Sequence, residues 1–171
     1  PNFTFDVGGD LVIIGAHTYA ERCGLSFASN VTFRVGGNIK ISNAVLEFKR
    51  GADVAVQGDF MMESNSDRRK GAMVYLQAAP TNTPASYGAS FTVGGKWTIG
   101  ASGVFLPYCE ANNGAIPVLM AKALYIDAAG EINASGKGYK YGPGYYAASR
   151  GASYGGIGGG NYVGKAAYGS A

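Results

Sequence analysis

The chain has 171 residues, a formal net charge of +3, only 15% charged residues and 28 glycines. That length suffices for one domain with a sizeable core, and the abundance of Val, Ile, Phe and Tyr excludes a disordered chain. The weak charge argues against a nucleic-acid partner. No apolar run reaches the ~20 residues of a membrane helix, and the glycines lack collagen's triplet period.

Phe3 to Ile14 reads FTFDV-GG-DLVII: apolar residues alternate, break at Gly8-Gly9 and resume. Alternation with period two marks a strand with one buried face, and the glycine pair marks a bend or a close approach of backbones. A polar stretch over 15–24 holds the only histidine, His17, which has no evident nucleophile partner and reads as a solvated loop residue. Leu25–Phe27 and Val31–Val35 lead into a second pair, Gly36-Gly37, followed by Ile39–Ile41. Asn43 to Met62 reads as three short strands, Val45–Phe48, Val54–Val56 and Phe60–Met62.

Residues 63–71, with Arg68-Arg69-Lys70, form the most hydrophilic segment and are expected to be a surface loop. Ala72–Ala78 is a strand, and 79–90, with Pro80 and Pro84, a second loop. Phe91–Ile99 restarts the pattern as FTVGGKWTI, broken at its glycine pair, and Gly103–Leu106 follows. Beyond a loop over 108–114 come two strands, Ile116–Met120 and Ala123–Ile126. Alternation returns at Glu131–Ala134, where Ile132 and Ala134 face one way.

The segments FDVGGDLVI, FRVGGNIKI, VAVQGDFMM and FTVGGKWTI are copies of one strand-bend-strand unit. Their equivalent glycines, Gly9, Gly37, Gly58 and Gly95, are 28, 21 and 37 residues apart, as a coil of 21 residues with loop insertions would give. No helical apolar stripe interrupts this rhythm. The predicted fold is all-β, a right-handed parallel β-helix (β-solenoid) of roughly five or six coils, which at ~4.8 Å per coil is about 25 to 30 Å long. The alternative is an antiparallel sandwich or jelly roll. In the solenoid, Leu11, Ile13, Val35, Ile39, Val56, Phe60, Val93, Trp97 and Ile99 line comparable positions, with an outward Trp97 left open. Coils are expected over 1–136, and a Gly/Tyr-rich segment packed on them over 137–171.

Candidate chemistry is sparse. Asp53 and Asp59, at turns on either side of Val54–Val56, are the best pair for the two carboxylates of a glycosidase, and Asp6 and Asp10 flank the first glycine pair. Asp at a turn more commonly bonds its own backbone. Cys23 and Cys109 either form one disulfide closing an 87-residue loop or are two buried thiols. No metal site or cofactor is implied, since neither cysteine sits in a CxxC or His/Cys cluster and GGIGGGNYV lacks the Asp of calcium-binding repeats. Three sequons, at Asn2, Asn30 and Asn133, are close to chance. Tyr139, Tyr141, Tyr145, Tyr146 and Tyr154 are candidates to stack on sugar rings or on a neighbouring protein, or to cover a flank of the coils.

The run INASGKGYKYGPG from Ile132, followed by ASYGGIGGG and AAYGS, resembles glycine-rich parallel β-helix segments of large bacterial surface and secreted proteins, adhesin-like and autotransporter-like chains among them. The resemblance implies an extracellular or cell-surface setting and supplies no catalytic residues. On this reading the chain is part of a longer protein, and the function is a structural or adhesive module of a surface protein or filament. A carbohydrate-binding module and a polysaccharide-degrading enzyme are the alternatives. The expected partners are neighbouring coils or copies stacked end to end, and surface polysaccharide, with no nucleic acid and no membrane span.

Overall fold

The computed structural model describes residues 3–15, 23–63, 71–80, 88–110 and 115–137. Among them are thirteen strands and no helix, and every strand pairing is parallel. The antiparallel sandwich or jelly roll is thereby excluded, because consecutive strands do not pair with each other. Each instead pairs with its equivalent one repeat away.

The strands fall into five rungs. The first holds β1 (Phe3–Val7), β2 (Leu11–Ile14) and β3 (Gly24–Phe27). The second holds β4 (Val31–Val35), β5 (Ile39–Ser42) and β6 (Val45–Phe48). β7 (Asp53–Val56), β8 (Phe60–Glu63) and β9 (Met73–Gln77) make the third. β10 (Ala89–Ile99) and β11 (Val104–Tyr108) make the fourth, and β12 (Pro117–Ile126) and β13 (Glu131–Ile132) the fifth. One sheet runs β1-β4-β7-β10-β8-β5-β2 with β12 on β10; the other runs β13-β11-β9-β6-β3.

β10 joins the two arms of the larger sheet because it is continuous through Gly94-Gly95, pairing with β7 at one end and β8 at the other. The sequence pattern divides this stretch at the glycines. The structure keeps it as one strand and absorbs the kink as a register irregularity between Val93 and Lys96 on β12. The two strands expected over 116–126 are likewise a single strand, β12, in which Lys122 alone stands opposite the two glycines.

Parallel register turns local alternation into long apolar columns. Leu11, Ile39, Phe60, Trp97 and Leu124 follow one another in register through the five rungs, and so do Ile13, Ile41, Met62, Ile99 and Ile126. Phe5, Phe33, Val54, Phe91 and Leu119 form a third column, with Val7, Val35, Val56, Val93 and Ala121 beside it. The smaller sheet adds Leu25, Leu46, Val74, Phe105 and Ile132. All the positions expected to face inward do so. Trp97 is inward too, only 1% exposed, its ring 5.2 Å from Phe91 and 4.7 Å from Phe105.

Aromatic rings also stack between rungs. Phe5 lies on Phe33 at 5.1 Å and 7°, and Phe27 on Phe48 at 5.5 Å and 15°. Such pairs contribute roughly 0.5–1.5 kcal/mol beyond their burial. The corners between sheets are turned by residues in the left-handed region. Asn43 (φ 50°) and Ser102 (φ 61°) follow β5 and β10; Asn30 (φ 60°) and Gly51 (φ 80°) follow β3 and β6. Asn and Gly, which tolerate that region, hold three of these four positions.

Candidate functional site

The glycine bends lie directly over one another. The Gly37 amide donates to the Gly9 carbonyl (3.0 Å), Gly58 to Gly37 (3.0 Å) and Gly95 to Gly58 (2.9 Å). The residue after each bend completes the column with its side chain. Asp10 Oδ1 accepts from the Asn38 amide (2.6 Å), Asn38 Oδ1 from the Asp59 amide (2.8 Å) and Asp59 Oδ1 from the Lys96 amide (2.7 Å). The ladder ends there, because a lysine has no acceptor to offer the fifth rung.

This ladder also explains the glycines. A Cβ on Gly37 would stand 2.2 Å from Asp10 Oδ1, on Gly58 2.4 Å from Asn38 Oδ1, and on Gly95 2.2 Å from Asp59 Oδ1. Each glycine makes room for the acceptor from the rung before.

The carboxylates considered for catalysis are engaged in these inter-rung contacts. The sequence favours Asp at a turn bonding its own backbone; Asp10 and Asp59 instead bond the backbone of the next rung. Asp53 accepts from the Ser90 hydroxyl. Asp6 lies in register with Arg34.

Cys23 and Cys109 are both free thiols, so the disulfide that the sequence left open is not formed. Cys23 is exposed and Cys109 half-buried, and burial pushes the Cys109 thiol above its ordinary pKa. Among the described residues no group of three or more His, Cys, Asp or Glu is placed to hold a metal ion. Tyr139, Tyr141, Tyr145, Tyr146, Tyr154, His17 and the Arg68-Arg69-Lys70 run lie outside the described residues. So does the Gly/Tyr-rich segment beyond Lys137.

A different tyrosine pair occupies the outer face of the smaller sheet. Tyr75 and Tyr108 approach to 6.1 Å between ring centres, tilted by 34°, with Lys137 Nζ 4.4 Å from the Tyr108 ring. Glu47, in register with Tyr75, accepts from Ser26 (2.7 Å) and from Gln77 (3.4 Å). The sequence missed this group because its members come from different strands. Only the outward positions of alternating segments point to them, and those positions are many.

The two outer rungs differ from the rest. All nine exposed large apolar side chains among the described residues lie on the first rung, on β12 or on the residue before it, with Ile14 at 70% and Leu124 at 50% exposure. Among the described residues, β1, β2 and β3 pair only with the second rung, and β12 and β13 only with the fourth. Among the described residues each outer rung therefore has one edge without a strand partner. Compared with protein-family models, with curated proteins and with solved structures, the chain matches none.

Proposed function

We propose that the chain is a right-handed parallel β-solenoid serving as a non-catalytic structural or adhesive module of an extracellular or cell-surface protein. The observation that carries this reading is the run of unbroken apolar columns through five rungs, which gives the backbone a continuous ladder and uses the apolar residues in one core. Right-handedness is the default for parallel crossovers. The extracellular setting draws on the resemblance to glycine-rich surface proteins.

The acidic residues favour the same conclusion, because Asp10, Asp53 and Asp59 spend their carboxylates in tying rungs together. A screen of the purified chain on acidic and neutral polysaccharides tests the non-catalytic role. No turnover is expected, and turnover lost in Asp53→Asn or Asp59→Asn would overturn it.

A second reading, carbohydrate binding, is favoured by the Tyr75–Tyr108 pair with Glu47 and Gln77 beside it. Aromatic faces flanked by a carboxylate and an amide suit a sugar ring and its hydroxyls. Glycan-array binding lost in Tyr75→Ala and Tyr108→Ala would promote it.

A further inference from the structure

We propose that the outer face of the smaller sheet binds a neutral, linear oligosaccharide that lies lengthwise across the rungs, over Tyr75 and Tyr108. The inference rests on the carbohydrate-binding reading above and names the class and the direction of the sugar chain.

The first support is where the rungs differ in length. Each separate glycine bend takes three residues (8–10, 36–38 and 57–59), and β10 and β12 run through it unbroken. The connections into the smaller sheet instead range from two residues (43–44) to nine (15–23 and 64–72). Those out of it range from three (28–30) to eleven (78–88). The large differences in rung length therefore fall at the two margins of the smaller sheet. In stacked repeats such insertions gather beside the face that binds. At the glycine bends the Asx ladder fixes the spacing and no such insertion occurs.

The second support is the order of groups across that face. Ser26, Glu47 and Tyr75 are in register on three consecutive rungs, and Tyr108, in register with Gln77, continues the line diagonally on the fourth. The line crosses three strand spacings, about 14 Å at ~4.8 Å each. The two rings, 6.1 Å apart and tilted by 34°, are separate stacking surfaces rather than one. Aromatic faces at one end and hydrogen-bonding groups at the other, spread over this length, suit several linked sugars better than a single ring.

The third support is the chemistry of the polar groups. Glu47 accepts from Ser26 at 2.7 Å and more loosely from Gln77 at 3.4 Å. A carboxylate has about four lone-pair sites, so capacity remains for the donors that sugar hydroxyls supply. Among the described residues Glu47 has no ion pair, and its charge stands in the middle of the line. A carboxylate or sulfate on the sugar would meet that charge and be repelled. Lys137 Nζ, 4.4 Å from the Tyr108 ring, adds a donor at the far end.

The test is isothermal titration calorimetry of the full chain. The probes are neutral oligosaccharides of glucose, mannose, xylose and N-acetylglucosamine, from monosaccharide to hexasaccharide, beside oligogalacturonates of the same lengths. At least one neutral series should bind, its affinity rising about tenfold from the monosaccharide to the longer members as the second ring is engaged. Tyr75→Ala and Tyr108→Ala should each weaken binding by about tenfold, the upper range for one aromatic contact. Tyr125→Ala, which removes a more exposed tyrosine from the larger sheet, should change nothing. Glu47→Gln keeps the shape of the side chain without its charge and should gain binding to oligogalacturonates. Circular dichroism and thermal melts check that each variant folds, as outward positions lead one to expect. No binding of any sugar removes the carbohydrate reading and the proposal together. Binding that both tyrosine variants lose, but that is equal for monosaccharide and oligosaccharide or tighter for oligogalacturonates, keeps that reading and overturns the proposal. Binding indifferent to both tyrosine variants puts the sugar on another face and overturns it as well.

Discussion

Gly37→Ala and Gly9→Ala place the same methyl group at the same bend in consecutive rungs, and the structure gives them opposite consequences. At Gly37 the new Cβ stands 2.2 Å from Asp10 Oδ1 and 2.8 Å from the Gly9 carbonyl carbon. Neither gap is tolerable, so the Asp10 carboxylate must leave the Asn38 amide that it accepts from at 2.6 Å, or the two bends must separate. Losing a largely exposed hydrogen bond of this kind costs about 1–1.5 kcal/mol. Overpacking against backbone adds roughly 1–3 kcal/mol. Gly37→Ala should therefore destabilise by about 2–4 kcal/mol. Gly9→Ala meets nothing within 4 Å, and by restricting the unfolded chain it should be neutral or stabilising by up to ~1 kcal/mol. Urea unfolding of the two variants beside the wild type gives both values. Equal stabilities, within about 1 kcal/mol, would refute the argument that the Asx acceptor is what excludes a side chain from the bend.

Trp97→Phe removes an indole Nε1 that is buried with no hydrogen-bond partner among the described residues. An unsatisfied buried donor costs ~1–3 kcal/mol, which offsets the volume lost, so thermal melts should place Trp97→Phe within about 1.5 kcal/mol of the wild type. Trp97→Ala, which opens a cavity among Phe60, Phe91 and Phe105, should cost ~3–5 kcal/mol. Similar losses for both would mean the indole N–H is satisfied. Asn38→Ala removes one acceptor from the ladder and should cost about 1 kcal/mol in the same assay. Burial raises the Cys109 pKa and so holds that thiol neutral to higher pH, while Cys23 is exposed. Iodoacetamide at mildly alkaline pH should then label Cys23 first, as read by mass spectrometry, because the thiolate is the nucleophile. Faster labelling of Cys109 would contradict its burial.

The rungs were legible wherever a glycine bend marked them. Gly9, Gly37, Gly58 and Gly95 line up as their shared segments require, and the 21-residue second rung needs no insertion at all. The fifth rung was harder to read. Its bend is a single Lys122 between two alanines, so nothing in Pro117–Ile126 repeats the motif, and only pairing with β10 assigns it. The Asx ladder was present in the sequence as Asp10, Asn38 and Asp59, one residue after each bend. Local turn chemistry accounts for an Asp there just as well, and the choice depends on a neighbour 21 to 37 residues away. The Tyr75–Tyr108 pair is subject to the same limit, since its rings meet diagonally across two strands.

The bonds between rungs all point along the direction of stacking, which makes the molecule mechanically anisotropic. A force along the strands shears many bonds at once. A force drawing out the chain from one edge peels a single rung, then the next. The register offsets from Phe5 to Phe33, Val54, Phe91 and Leu119 are 28, 21, 37 and 28 residues. At ~3.4 Å per extended residue, the chain released per rung ranges from roughly 70 Å to about 125 Å. A peeled stack would thus lengthen in unequal steps whose order identifies the edge that gave way, with the 21-residue second rung the shortest.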